Sequence, residues 1–317
     1  MRTYLAAAAA LGLFAAPAMA EDVTVAVTAI VEHPALDAAR DGIRDGLSDA
    51  GYKVGENLTF VYETAQGNPA TAAQIARKFV GDNPTIIVPI STPSAQAVVA
   101  ATKDIPVVFT AVTDPVGAEL VSDAAMPGGN VTGVSDLSPL ADHLALIKEV
   151  TPDAKTIGVI YNSGEPNSVS LIEKLKELAG PAGFELKEAV ATKTADVQQA
   201  ARSLVGEVDV IYIPTDNTVV SALEAAVKVA EENSIPLFAG DTDSVPRGAI
   251  AAIGFNYYDI GLQTADIVVK VLKGEKPGSI PVKQAMGTNL VVNPAAAKKM
   301  GVTIPEAVIG RANTVVQ

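Results

Sequence analysis

Beyond residue 22, short β-branched apolar runs alternate with longer segments whose apolar positions recur every three to four residues. Residues 23–29, 58–63, 85–90, 107–110 and 131–134 read as strands. The spacing predicts helices over 35–50, 69–81 and 93–102 between them. The pattern then restarts. Strands are expected at 156–161, 185–189, 210–214, 237–239 and 249–254, with helices at 167–179, 194–205 and 218–233. A long helix over 257–273, a strand over 289–292 and a short helix over 294–300 complete the chain. Strands alternating with helices of this length mean βαβ units, parallel sheets and right-handed crossovers. The fold class is therefore α/β, with two doubly wound, Rossmann-like lobes of similar size that divide near Ser135–Pro139.

The first 20 of the 317 residues lie outside that pattern. Arg2 precedes an apolar run of Ala, Leu, Gly and Phe, and Ala18-Met19-Ala20 gives a small-x-small cleavage pattern before Glu21-Asp22. This reads as a signal peptide cleaved after Ala20, which sends the mature protein to a periplasm. The chain has no cysteine, so neither disulfides, thiolate nucleophiles nor a cysteine-borne lipid anchor is expected. Two histidines leave little material for a zinc enzyme. The net charge of −13, with no basic stripe, argues against nucleic acid as a partner.

In open α/β sheets, ligands bind outside the carboxyl ends of the strands. Those turns carry Glu32-His33, Gln66, Thr92 with Ser94 and Ala95, and Thr113-Asp114 in the first lobe. The second lobe offers Asn162, Glu165, Asn167-Ser168, Asp216-Asn217 and Asp241 with Asp243. The same residue types also cap helices, but seven such turns split between two lobes point to a cleft that binds a small molecule. At Thr92-Pro93-Ser94-Ala95, Thr92 is expected to cap and Pro93 to take the first helical position, so that the Ser94 and Ala95 N–H groups face a carboxylate. Asp216 is the first choice for holding an ammonium. Tyr161, Phe109, His33, Phe255 and Tyr257 are candidates to stack on an aromatic ring. No nucleophile elbow, dinucleotide fingerprint or phosphate loop is present, and the pair Asp241/Asp243 lacks the ligand count of a metal site. Neither catalytic residues nor a metal or other cofactor is expected, although Glu32-His33 would be the acid/base pair if the chain were an enzyme.

Several of these stretches, in order, resemble one family. They are 32–37, Thr92-Pro93-Ser94-Ala95-Gln96, the run 109–115, the run 129–136, Tyr161-Asn162 with Glu165-Pro166-Asn167-Ser168, and Thr215-Asp216-Asn217-Thr218. Together they are similar to the tryptophan/phenylalanine-type substrate-binding proteins of ABC importers, a branch of the type I periplasmic binding proteins. The resemblance implies two lobes joined by three crossings, near 134–138, 254–257 and 282–287. The lobes would then comprise 21–135 with 257–283, and 136–256 with 284–317. It also implies an enclosed aromatic amino acid, ligand-driven closure, a monomer and a membrane permease as partner. Many relatives in cell-wall-only bacteria carry a lipid anchor, and this chain departs from them in lacking the cysteine. A ligand sensor for a membrane receptor, or an enzyme on the same fold, are the alternatives.

Overall fold

The computed structural model describes residues 22–317, so the leader segment lies outside the described residues. The first lobe begins with β1 (Val23–Ala29), α1 (Pro34–Asp49), β2 (Leu58–Thr64), α2 (Pro69–Asp82) and β3 (Ile86–Ile90). It continues with α3 (Thr92–Ala101), β4 (Val107–Val112) and β5 (Val131–Ser135). The second lobe contains α4 (Leu140–Val150), β6 (Thr156–Tyr161), α5 (Pro166–Ala179), β7 (Glu185–Val190) and α6 (Val197–Ser203). There follow β8 (Val210–Ile213), α7 (Asn217–Ser221), α8 (Leu223–Asn233), β9 (Leu237–Ala239) and β10 (Ala251–Phe255). The remainder is α9 (Tyr257–Leu272), β11 (Lys283–Gln284), β12 (Thr288–Val292), α10 (Pro294–Lys299), α11 (Glu306–Arg311) and β13 (Thr314–Val315).

The first sheet is parallel, in the order β2-β1-β3-β4-β5-β11. The second is also parallel, in the order β7-β6-β8-β9. A three-stranded sheet, β10-β12-β13, abuts β9, where the Ile250 N–H donates to the Leu237 carbonyl at 2.8 Å. Strands β3, β4, β5 and β8 are buried throughout, because helices cover both faces of a parallel sheet. Prolines open α1, α2, α5 and α10, where the missing N–H removes no helical bond.

Two apolar cores result, one on each sheet. The chain passes between them at 136–139, at Asn256 and at 285–287. After the second crossing, α9 returns to the first core and packs against α1. Gly42 and Gly261 bring those two helices together. A Cβ on Gly261 would collide with the Ala39 carbonyl and lie 2.9 Å from the Gly42 Cα.

Three helical expectations change. The span 218–233 is broken at Ala222 (φ −121°), because Thr218, Val219 and Val220 form a β-branched run that holds a helix poorly. Helices α4 and α11, within segments read as connectors, are additional. Helix α3 starts one residue early, on Ser91, so Thr92 does not cap it and Pro93 is its second residue.

Candidate ligand-binding site

Strand order fixes where each lobe can hold a ligand. In the first sheet, the β1 connection turns toward β2 and the β3 connection toward β4, so their ends diverge and leave a crevice between α1 and α3. In the second, the β6 and β8 connections diverge in the same way, between α5 and α7. The two crevices face each other. Between them lies a narrow cavity, lined by His33, Ala35, Leu36, Ser91, Ala111, Thr113 and Asp136 on one side. Asn167, Thr215, Asp216, Asn217, Val220, Asp241 and Tyr257 complete it. Away from the crossings, the cleft opens into a wider groove of which Gln66, Pro93, Asn162, Glu165 and Lys193 are part of the wall.

Backbone strain and unmet polar groups concentrate at this cavity. Ser91 and Ala111, both in its wall, have positive φ (75° and 53°), a conformation that non-glycine residues adopt at a cost. His33 Nδ1, Asn167 Oδ1 and Thr215 Oγ1 line it and have no hydrogen-bond partner, and neither do the buried Thr92 and Ser94 hydroxyls at the start of α3. Buried polar groups are nearly always paired, so this cluster marks a place prepared for another molecule.

Its electrostatics are one-sided. Asp136, in the first crossing, accepts hydrogen bonds from Thr113 Oγ1 at 3.2 Å and from the Tyr257 hydroxyl at 2.7 Å. Asp241 accepts from the Ser244 N–H and hydroxyl at 2.8 and 2.7 Å. Burial raises both acids above the usual carboxylate range, and pushes Asp243 up to about 6. Among the described residues, no Lys or Arg lines the cavity. Arg247 is near enough to act on Asp241, Asp243 and His33, but its guanidinium is paired through Nε and Nη2 with Glu224, at 2.7 and 2.8 Å. Burial, then Arg247, lower His33 to about 3, with the Asn217 side chain partly opposing, so the imidazole is neutral.

A family model for ABC transporter substrate binding proteins matches residues 24–316. The chain belongs to this family. Over 276 residues it is 43% identical to a tyrosine-binding protein of Clostridioides difficile (strain R20291), covering 87% of this chain and 80% of that one. Among solved structures, it resembles a conserved domain protein of Vibrio cholerae (56% identity, TM-score 0.92, 93% and 100% of the two chains covered). It also resembles a Streptococcus pneumonia ABC domain in complex with L-Trp (36%, TM-score 0.90, 93% and 100% covered). A ligand-free, open substrate-binding protein with adhesive properties from Clostridium difficile matches at 42% identity but a TM-score of 0.71, over 93% and 99% of the chains. The TM-score is thus lower to the open structure than to the L-Trp complex despite the higher identity, so the lobes of this substrate-binding protein are set differently from those of that open form. Members of the family bind solutes and are not enzymes, in keeping with the sequence reading.

Of the residues singled out from sequence, the substrate-binding protein brings His33, Thr113, Asn167, Asp216, Asn217 and Asp241 to the cavity wall. Asn162 and Glu165, with Gln66, lie at the groove. Glu32 is exposed. Thr92, Ser94 and Ala95 are buried behind Ser91, and the Ala95 N–H is spent on the Ser91 carbonyl at 3.0 Å, so only donors ahead of it remain free. Asp216, the expected ammonium partner, already accepts from the Asn162 N–H, the Ser168 hydroxyl and the Val219 N–H, at 2.6 to 2.8 Å. Burial and the neighbouring Glu165 carboxylate raise it. Glu165 accepts in turn from the N–H and side chain of both Asn217 and Thr218, and so ties α5 to the start of α7. Asp114 bonds across the cleft to Ser170, and Asp243 stands beside Asp241.

Of the five stacking candidates, only His33 and Tyr257 line the cavity. Phe109 is sealed in the first core, and the Tyr161 hydroxyl donates to Glu188. Asp136 and Ser91 were legible only as parts of longer motifs. The signal that finds Asp136 is its place directly after β5, at the first crossing.

Proposed function

We propose that this substrate-binding protein captures one L-amino acid with an aromatic side chain between its lobes and delivers it to an ABC importer. The observation that carries this reading is the closed cavity itself, acidic toward the crossings and donor-rich at the start of α3. The cavity is narrow and walled by both lobes, which suits a single small molecule better than a peptide. Asp136 and Asp241 have two internal donors each, fewer than Asp216, and so retain acceptor capacity for an ammonium. The carboxylate faces the start of α3, where Ser91 lines the cavity and the first helical N–H groups are free. Ala35, Leu36, Ala111 and Val220 supply apolar walls, with Tyr257 and His33 as aromatic faces.

The tyrosine-binding relative and the L-Trp complex support the ligand class. The leader pattern supports export to a periplasm with cleavage after Ala20, and family membership supports a membrane permease as partner. We take the working form to be a monomer whose lobes comprise 21–135 with 257–283, and 136–256 with 284–317. Calorimetry against the twenty amino acids should give a Kd around micromolar, about −8 kcal/mol, for an aromatic one. Asp136→Asn should weaken it about 100-fold, or about 3 kcal/mol, because a buried ammonium loses its charged partner. Absence of binding by every aromatic amino acid would sink the reading.

A further inference from the structure

We infer that the same cavity takes a second class of ligand, aromatic primary amines that lack a carboxylate, anchored by the ammonium alone. This rests on the reading above and extends its cargo. The cavity meets the two ends of an amino acid unequally. At one end stand the ionisable acids Asp136 and Asp241, each with two internal donors and no cation among the lining residues. Arg247, which acts on Asp241 from outside the wall, donates to Glu224 through Nε and Nη2 and to the Val220 carbonyl through Nη1. At the other end there are only neutral donors, the first N–H groups of α3 beside Ser91.

Two side chains in the wall, His33 and Asn167, 92% and 97% buried, each leave one polar atom, Nδ1 and Oδ1, without a partner, which marks the space as one that a molecule fills. Neutral donors left without a carboxylate can be satisfied by a water of modest immobilisation cost. Buried carboxylates left without a cation must bear the cost of an unpaired charge or take up protons, and in either case the ion pair with the ligand is lost. The asymmetry predicts that deleting the ligand's carboxylate is tolerated and deleting its ammonium is not.

Calorimetry on the full mature chain tests this with matched probes: L-tyrosine, tyramine and 3-(4-hydroxyphenyl)propionate. Tyramine should bind within about 30-fold of tyrosine, and the deaminated acid at least 1000-fold more weakly than tyrosine. Asp136→Asn should weaken tyrosine and tyramine by the same factor, whereas Ser94→Pro, which removes an N–H donor at the start of α3, should weaken tyrosine alone. Circular dichroism verifies that both variants are folded. Tyrosine binding with tyramine no better than the deaminated acid overturns the inference and leaves the amino-acid reading intact. If tyramine binds and tyrosine does not, the inference stands and the amino-acid reading falls. If neither binds, both fall.

Discussion

Ser170, on α5 of the second lobe, donates its hydroxyl hydrogen to the Asp114 carboxylate of the first lobe, 3.1 Å away across the cleft. The other Asp114 oxygen accepts from the Gly117 N–H at 2.9 Å, which holds the carboxylate in place. The bond spans two lobes joined only by the three crossings, so it exists when they are closed and is lost when they part. Asp114 was expected to touch ligand; the structure uses it to hold the lobes together.

Ser170→Ala should therefore act on release. A part-exposed hydrogen bond to a charged acceptor is worth about 1 kcal/mol here, or roughly a fivefold faster dissociation. The association rate and the ranking of ligands should not change. Stopped-flow release kinetics read the effect directly. A dissociation rate equal to that of the parent protein would remove the pair from the closure mechanism.

Helix α9 owes its seat on α1 to the absence of side chains at Gly42 and Gly261. Gly261→Ala drives a methyl into the Ala39 carbonyl and forces two helix backbones apart. Overpacking of this kind costs about 2 kcal/mol or more, which lowers Tm by roughly 5 °C in a lobe of this size. Gly81→Ala is the control, because a Cβ there meets nothing within 4 Å and alanine favours the helix. Calorimetric scans should show Gly261→Ala melting early and Gly81→Ala unchanged or slightly raised. Equal Tm values for the two variants would contradict the close-packing account.

His143 is buried in the second core, with one ring nitrogen 2.6 Å from the Tyr212 hydroxyl and the other 2.5 Å from the Ile253 carbonyl. Burial lowers its pKa from 6.5 to about 4, so folding favours the neutral ring. Its contribution is complete above the unfolded value of 6.5 and fades as pH falls toward 4, where the unfolded chain alone takes up the proton. The destabilisation caused by His143→Gln should shrink by about 2 kcal/mol between pH 7.5 and pH 4.5. Denaturant titrations of both proteins at the two pH values measure it, and a pH-independent difference would contradict the assignment.

Much of the architecture was readable because strand and helix periods are local. Strands 156–161 and 237–239 fall where the apolar runs put them, and two doubly wound lobes follow from their alternation with helices. Helix α4 shows the limit. Leu140, Leu144, Ile147 and Val150 carry a helical period, but Ser138-Pro139 ahead of them also suits a connector between lobes, and in the structure Pro139 takes the cap position with no capping side chain. At α3 the reading of Thr92 as a cap failed by one residue, because the strained φ of Ser91 begins the helix early.

The sequence by itself determined the class of fold, the two-lobe organisation and the set of polar turns from which a site is built. Each of these depends on residues close together in the chain. Only the tertiary structure decided which polar groups remain available to a ligand. Asp216 and Asp136 look alike in sequence, each an acid just past a strand. Folding surrounds Asp216 with three donors, from the turn after β6, from α5 and from α7, and gives Asp136 a tyrosine 121 residues away, on the far side of a second crossing. An acid's spare acceptor capacity is set by what surrounds it in space, and that is known only when both lobes are in place.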